Sequence, residues 1–300
     1  MNNKLIYQFS STKTEGDRSM VDLLGGKGAN LAEMSSLGIN VPPGFTVTTE
    51  VCNYFIENKS FPDKFDKELE TALTNLEKLT KKKFNDDKTP LLLSVRSGGK
   101  VSMPGMMDSI LNIGINDKNV DALASNFNDE RFALDSYRRL IQMYGNVVLE
   151  IEMDRFEAII DNKKRIDGVE NDNDFDSEQL SWIIDAFKTT VERFGGNPFP
   201  QDPIIQLKLS IEAVFKSWLN KRAVTYRKIN NIPNNLGTAT TVQSMVFGNL
   251  NESSGTGVAF TRFPSTGKNK LYGEYLMNAQ GEDVVAGIRT PYPIGKHEKN

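Results

Sequence analysis

The chain has 300 residues and balances 36 basic against 39 acidic side chains, which gives a formal net charge of -3. This near balance argues against a surface that binds nucleic acid or acidic membranes. One cysteine and one histidine are too few for an internal disulfide or a Cys/His zinc cluster. The sequence also lacks an apolar run of signal-peptide or membrane-spanning length. We therefore expect a cytoplasmic protein with two domains, or with one domain that carries a large insertion.

The first segment of the chain, to about residue 115, alternates strand and helix signals. Apolar runs predict strands over residues 5–9 and 45–48, and an apolar stripe before Gly38 predicts a helix that ends at this glycine. A longer amphipathic helix is predicted over residues 63–83. Cys52 lies among apolar residues of a short predicted helix, so we expect it to pack in the core.

The glycine-rich stretch over residues 91–114 carries the clearest chemical signal. An apolar strand is predicted to end at Arg96 and to open into a loop of glycine, serine, lysine and methionine. A guanidinium group binds phosphate oxygens in two places, and a glycine backbone lets its N–H groups approach them. Met103, Met106 and Met107 offer an adaptable apolar surface beside the phosphates. The alternative is an ordinary surface turn between two core strands.

A second glycine-rich element lies over residues 23–34 and combines a turn, Lys27 and the predicted start of a helix. Helix N-termini favour anions, so this element is a second candidate phosphate contact. It is not a Walker A loop, because Lys27 is followed by Gly28 rather than by serine or threonine. It is not a dinucleotide fingerprint either, because Leu31 takes the place of the third glycine. An ordinary glycine-containing helix start remains the alternative.

The middle of the chain changes to almost pure helix signals. Helices are predicted over residues 132–150, 155–165 and 177–194, and a long helix is predicted over residues 203–230. The acidic stretch from Asn171 lacks the glycine and the final glutamate of a calcium loop. We interpret it as a loop that ends in an N-cap, at Asp176 or Ser177.

The last segment is predicted to contain strands over residues 238–247, 257–261, 271–277 and 283–285. Met245, Val246 and Phe247 offer apolar surface, and the small residues 253–257 form another loop that could cover phosphates. Glu274, Glu282 and Asp283 are candidates to bind ribose hydroxyls, or magnesium through water. Solvated carboxylates in turns are the alternative.

Three long motifs resemble the pyruvate, phosphate dikinase family, specifically its N-terminal ATP-binding domain. They are LGGKGANLAEMSSLGINVPPGFTVTT, SVRSGGKVSMPGMMDSILNIG and NAQGEDVVAGIRTP. The resemblance implies an ATP-grasp fold, in which two α+β lobes hold the nucleotide between them. Residues 1–115 and 200–243 would form the first lobe, residues 116–199 a helical insertion, and residues 244–300 the second lobe.

The resemblance also assigns site residues. Lys27 and Arg96 match the family's phosphate-contacting lysine and arginine, and we expect both to act in catalysis. The other matches are Gly105 and Met107 in a loop over the nucleotide, Gln243, Met245 and Val246 on the adenine side, Thr256 in a second phosphate loop, and Glu282 and Asp283 near the ribose. The cofactors implied are ATP and Mg²⁺, with the metal ligands expected downstream of residue 300.

Members of the family convert ATP, phosphate and pyruvate to AMP, diphosphate and phosphoenolpyruvate. The phosphoryl group travels on a histidine of a separate domain to pyruvate on a barrel domain, and the full-length enzyme is expected to be a homodimer. His297 lacks the glycine- and threonine-rich surroundings of such a histidine. We therefore expect a fragment with an incomplete second lobe and no overall turnover of its own. A phosphoenolpyruvate synthase-like enzyme and a non-catalytic nucleotide-binding module are the alternatives.

Overall fold

The computed structural model describes residues 4–285 and 289–295, and the chain in these ranges has an α+β architecture. Five antiparallel strands form the first sheet, in the order β1-β2-β5-β3-β4. They are β1 (Ile6–Phe9), β2 (Gly44–Val47), β3 (Leu93–Gly99), β4 (Ser109–Ile113) and β5 (Thr238–Ser244). Because β5 lies between β2 and β3, a late segment of the chain occupies the centre of a sheet that the first segment begins.

A second sheet has three antiparallel strands in the order β6-β7-β8. They are β6 (Gly255–Phe260), β7 (Tyr272–Met277) and β8 (Tyr292–Pro293). The helices are α1 (Val21–Ser36), α2 (Thr49–Asn58), α3 (Phe65–Thr80), α4 (Val120–Phe127), α5 (Glu130–Val147), α6 (Met153–Asp167), α7 (Ser177–Gly195), α8 (Pro203–Ser217), α9 (Lys221–Ile229) and α10 (Gly281–Val285). No helix in the described part of the chain is both long and apolar enough to span a bilayer.

The two faces of the first sheet differ in chemistry. Val95, Val242 and Phe45 are register partners on three neighbouring strands, and they face the main hydrophobic core with α2 and α8. The opposite face carries Arg96 and Thr241 next to one another, among other polar residues, and α1 packs over it. Side chains alternate between the faces of a strand, so an alternating sequence gives one apolar and one polar face.

The main core joins the apolar face of the first sheet to the helices of residues 116–199. Phe132, Phe156 and Phe187 are fully buried there, and the last two rings meet edge to face with centroids 5.0 Å apart. Cys52 is also fully buried, as predicted, and burial raises the pKa of its thiol to about 12. A thiol that stays protonated at neutral pH is a packing group rather than a nucleophile.

Most predicted elements are confirmed, and the acidic stretch from Asn171, predicted to be a loop, contains one short 3-10 helix over Asp172–Asp174 before α7 begins. Asp176 caps α7 by accepting a hydrogen bond from the Gln179 backbone N–H at 2.8 Å. In return, the Asp176 backbone N–H donates to the side-chain oxygen of Gln179. This reciprocal pair is a capping box, which fixes where the helix begins.

The long helix predicted over residues 203–230 is wrong, because the chain turns between α8 and α9. The indole N–H of Trp218 donates to the Asn234 carbonyl at 2.9 Å, and Arg227 Nη1 donates to the Trp218 carbonyl at 2.7 Å. That carbonyl would accept a backbone N–H from the next turn in a continuous helix. The arginine side chain replaces the helical bond and its guanidinium lies 3.9 Å from the indole centroid.

The strand predicted over residues 283–285 is also wrong, since these residues belong to the short helix α10. The Asp283 carboxylate accepts a hydrogen bond from the Gln280 N–H at 2.9 Å, and the Asp283 N–H donates to the Gln280 carbonyl at 3.1 Å. Aspartate often bonds back to nearby backbone in this way, which favours a turn over a strand.

Candidate functional site

Arg96 lies in the interior of β3, three residues before its end, and not at the end of the strand as the sequence predicted. Its register partners are Thr241 on β5 and Ser109 on β4, so the three side chains share the polar face of the first sheet. The half-buried guanidinium donates through Nη2 to the Oε1 of Gln243. A regular strand therefore sets the direction of Arg96, which is more rigid support than a loop provides.

Lys27 reaches the same region because α1 kinks at Gly25. Gly25 has φ 65° and ψ 171°, and a Cβ built on it would lie 1.7 Å from the Gly98 carbonyl oxygen. Only glycine permits both this conformation and this approach. A Cβ built on Gly98 would lie 3.4 Å from the Lys27 Cβ, so the two glycine-rich elements predicted from the sequence meet here.

Residues 100–108 connect β3 to β4, and this loop is fastened at both ends. Lys100 forms an ion pair with Asp22 in the first turn of α1. At the other end Asp108 pairs with Arg222 of α9. The loop is therefore a turn between core strands, as in the alternative interpretation, and it also lies against the Lys27 helix.

The three methionines of this loop contact the same apolar cluster but differ in how deeply they are buried. Met103 is buried with Trp218 and Ala223, and Met106 and Met107 pack partly against the same cluster. A Cβ built on Gly99 would lie 3.5 Å from the Met107 Cε, which places Met107 beside the end of β3. Gly105 is exposed at φ 69°, and a Cβ there would meet no atom within 4 Å.

The three predicted adenine-side residues differ in their surroundings. Gln243 is 5% exposed and hydrogen bonded to Arg96. Met245 packs against the main core, and its sulfur accepts the Asn112 N–H at 3.0 Å. Val246 is 73% exposed, just beyond the end of β5. Met245 and Val246 thus stand where the chain leaves the first sheet.

Thr256 and the acidic pair belong to the second sheet and to α10. Thr256 lies on β6, and its Oγ1 would be 4.0 Å from a Cβ built on Gly281, so it faces the start of α10. Glu282 is within α10, and its side chain lies outside the described part of the structure. His297 also lies outside the described residues.

Asp283 forms an ionic bridge between α10 and α5. Its carboxylate accepts from Arg139 Nη1 at 2.9 Å, and Arg139 Nε donates to Asp135 at 2.9 Å. Burial alone would raise the pKa of Asp135, but the charges of Arg139 and Arg138 hold this pKa well below its usual range. Burial would likewise lower the pKa of Arg139, and Asp135 with Asp283 raise it instead. Asp135 and Arg139 are therefore both charged at neutral pH.

A cavity of about 1020 Å³ lies beside α5 and α10, and Asp283 is the predicted site residue in its lining. Its lining includes Ser109, the register partner of Arg96, as well as Asp283 and Arg139. A second cavity of about 910 Å³ lies between α8, α9 and the end of α5, and its lining includes Met106 of the loop between β3 and β4. In residues 4–285 and 289–295, no three His, Cys, Asp or Glu side chains are grouped so as to hold a metal ion.

Two residues that shape this site are not among those predicted from the sequence. Gly25 lies in the glycine-rich element around Lys27, but its close approach to Gly98 joins residues that are distant in sequence. Arg139 lies four residues after Asp135, and this spacing, which places an ion pair on one helix face, is the signal that could have found it. Its second partner, Asp283, is visible only in the folded chain.

The fold and the site together define the class of this protein. An α+β architecture presents an arginine from a sheet and a lysine from a kinked helix beside glycine backbone, which is an arrangement suited to phosphate groups. The family described as "Pyruvate phosphate dikinase, AMP/ATP-binding domain" matches the chain over residues 21–70 and 58–300. This match covers more than half of the chain, and the chain belongs to that family.

Proteins named pyruvate, phosphate dikinase are similar to nearly the whole chain. The protein of Rhizobium meliloti is 52% identical over 292 residues, which are 97% of this chain and 32% of the relative. That of Rickettsia conorii is 53% identical over 298 residues, which are 99% of this chain and 34% of the relative. That of Clostridium symbiosum is 52% identical over 299 residues, with shares of 99% and 34%. The chain thus spans about a third of the length of these relatives.

Proposed function

We propose that this chain is the ATP-binding part of a pyruvate, phosphate dikinase. The whole enzyme would convert ATP, phosphate and pyruvate to AMP, diphosphate and phosphoenolpyruvate, using a phosphohistidine on a domain outside these residues. The proposed fold is an ATP-grasp, with residues 1–115 and 200–243 as the first lobe and residues 244–300 as part of the second. The helices of residues 116–199 would be an insertion. Family membership and the similarity to dikinases support this proposal.

The observation that carries the proposal is the meeting of the Lys27 helix with the Arg96 strand at Gly98. Lys27 and Arg96 come from distant parts of the chain, and the elements that carry them meet at the glycine backbone of β3. Charge that develops on a phosphoryl group during transfer is stabilised most by donors held in place in advance. Lys27 and Arg96 would therefore neutralise the phosphates, with Arg96 acting mainly in the transition state.

The remaining residues would enclose the nucleotide. Gly105 and Met107 would cover it from the loop between β3 and β4, Gln243, Met245 and Val246 would face the adenine side, and Thr256 would contact phosphate from β6. Glu282 would approach the ribose. Asp283 would act by holding α10, because both of its oxygens already accept hydrogen bonds. Mg²⁺ would accompany ATP, held by residues downstream of residue 300.

Replacement of Arg96 in the full-length protein tests the proposal. We expect Arg96→Leu to slow AMP formation from ATP in a single turnover by roughly 100- to 1000-fold, because one preorganised charge is lost. ATP affinity should change much less, since the interaction is strongest in the transition state. The measurement is rapid-quench assay of AMP together with calorimetric titration of Mg-ATP.

Arg165→Leu is the matched control, since Arg165 is an exposed arginine of α6 whose Nη2 donates to Asn162 on the same helix. It should leave both quantities unchanged. A normal rate in Arg96→Leu would contradict the proposed role of Arg96. Consumption of water with release of phosphate, in place of consumption of phosphate with release of diphosphate, would instead identify a phosphoenolpyruvate synthase-like reaction.

A further inference from the structure

We propose that Gln243 is the positioning residue of Arg96, an inference that rests on the proposed function of Arg96 in phosphate transfer. The resemblance to the dikinase family assigns Gln243 to the adenine side. The structure instead ties both ends of its side-chain amide to protein groups: Oε1 accepts Arg96 Nη2, and Nε2 donates to the Pro42 carbonyl at 2.9 Å. Gln243 is 5% exposed, so solvent does not replace these bonds easily.

The Pro42 carbonyl determines which way the amide points. A carbonyl oxygen only accepts hydrogen bonds, so the NH₂ end of Gln243 must face Pro42. The oxygen end then faces Arg96 and accepts a hydrogen bond from the guanidinium group. A side chain that could otherwise flip end for end has one favoured orientation here, and that orientation presents an acceptor to Arg96.

The anchor of this amide is itself rigid. Pro42 and Pro43 follow one another, and their rings fix φ at both positions. The next carbonyl, that of Pro43, accepts both the N–H and the Oγ–H of Ser244, each at 3.0 Å. Two consecutive proline carbonyls are therefore bonded to two consecutive residues of β5.

Gly44 makes room for this arrangement. It is the register partner of Gln243 on β2, and a Cβ built on it would lie 2.9 Å from the Gln243 Cα and 2.8 Å from the Phe9 ring. A larger residue at position 44 would clash with β5, the strand that carries Gln243. The glycine thus permits the close packing of β2 on β5 at the level of the amide.

A neutral acceptor suits a residue that aims a phosphate-binding cation. Gln243 orients the guanidinium without adding a negative charge, whereas a glutamate at this position would attract Arg96 and cancel part of its charge. Arginines on α5 instead have a charged partner. Arg138 and Arg139 are bonded to the carboxylate of Asp135 and so form a structural ion pair.

The test uses a control and four variants of the full-length protein: Gln243→Met, Gln243→Glu, Arg96→Leu and the double variant Gln243→Met with Arg96→Leu. Gln243→Met keeps the length of the side chain and removes both hydrogen bonds. We expect it to slow single-turnover AMP formation by roughly 10- to 100-fold, because misplacement of a catalytic cation has effects of this size. The Kd for Mg-ATP should stay within ~3-fold, and the preference for ATP over GTP should not change.

The double variant isolates the link between the two residues. If Gln243 acts through Arg96, its replacement should slow the Arg96→Leu protein by less than ~3-fold. Gln243→Glu should also be slow, although it can still bond to Arg96. Ser244→Ala is the control for the strand and the proline connector, since it removes the hydroxyl bond to the Pro43 carbonyl and leaves the Gln243 amide in place. Its rate should match that of the unaltered protein, and thermal unfolding of each variant verifies that it is folded.

Several results would overturn the inference. A normal rate in Gln243→Met, beside a slow Arg96→Leu, would refute the positioning role and leave the proposed function intact. A loss of preference for ATP over GTP would identify Gln243 as an adenine contact. Equal slowing by Gln243→Met in the presence and absence of Arg96 would show that it acts independently of Arg96. A normal rate in Arg96→Leu would overturn the inference and the proposed role of Arg96 together.

Discussion

The two sheets of this molecule are held together in different ways. The central strand of the first sheet, β5, is buried at six of its seven positions. The edge strand of the second sheet, β6, is exposed at five of its six positions. In the described chain after Ser244, Leu276 and Ala279 are the buried apolar side chains. The first sheet therefore has a hydrophobic core of its own, whereas the second depends more on polar links to its neighbours.

The difference has a consequence for the site. Arg96, Gln243 and the approach of α1 belong to the well-packed sheet, where side chains are fixed by their neighbours. Thr256 lies on the less buried second sheet. Helix α10 packs against that sheet and is linked to α5 through Arg139. Regions with fewer buried contacts open at lower cost. We expect the proposed phosphate-binding residues of the first sheet to be preorganised and those proposed on the second to be more easily displaced.

The largest effect is expected where α1 meets the first sheet. Gly25→Ala should lower the free energy of unfolding by about 3–5 kcal/mol, because the new Cβ would overlap the Gly98 carbonyl and the backbone conformation is nearly restricted to glycine. Urea unfolding followed by the fluorescence of the buried Trp218 measures the loss. Gly38→Ala is the control, since Gly38 also has a positive φ, 76°, but open space around its Cβ.

The control should lose only about 1 kcal/mol, the ordinary cost of alanine at a left-handed position. Equal losses in the two variants would mean that the approach of α1 to β3 is not tightly packed. In that case the contrast between a rigid first sheet and a more weakly held second sheet would no longer hold.

An intermediate effect is expected at the bridge between α5 and α10. Arg139→Met should lower the free energy of local opening around α10 by about 2–4 kcal/mol, because it leaves the buried Asp283 carboxylate without its guanidinium partner. Hydrogen exchange should quicken in α10 and β7, while the amides of β5 keep their protection. Lys164→Met, which removes a partly exposed pair with Asp172, should change exchange little. Equal loss of protection in β5 and β7 would show that the two sheets open as one unit.

The sequence predicted β1, β2, β5 and the start of β3, because their apolar patterns are strong and local. It did not predict β4, and it ended β3 too early, at Arg96. It predicted Lys27 and Arg96 as phosphate-binding candidates from glycine-rich context and from resemblance. It failed where a distant partner decides the local structure. Arg227 bonded to the Trp218 carbonyl divides a helix that periodicity made continuous, and the Asp283 side chain turns a predicted strand into α10.

The same limit applies to the contacts of the site. No local pattern shows that Gln243 lies between Pro42 and Arg96, because these residues are far apart in the chain and meet only through the register of β2, β5 and β3. The pairing of Arg139 with Asp283 depends likewise on how α5 lies against α10. Residue type and spacing identify candidates, and the topology of the sheet decides which of them touch.

The smallest effect is expected on the exposed strand of the second sheet. Phe260 is 47% exposed, and its ring is tilted against Tyr272 with centroids 6.2 Å apart. Phe260→Ser should therefore lower the free energy of unfolding of the second sheet by less than about 1 kcal/mol. Leu276 on the adjacent strand is 1% exposed, and Leu276→Ala should cost about 2–4 kcal/mol because it leaves a cavity. Hydrogen exchange of β7 amides in both variants measures the difference. A loss at Phe260 as large as the loss at Leu276 would mean that another surface covers β6 in solution, because an exposed ring has little burial to lose.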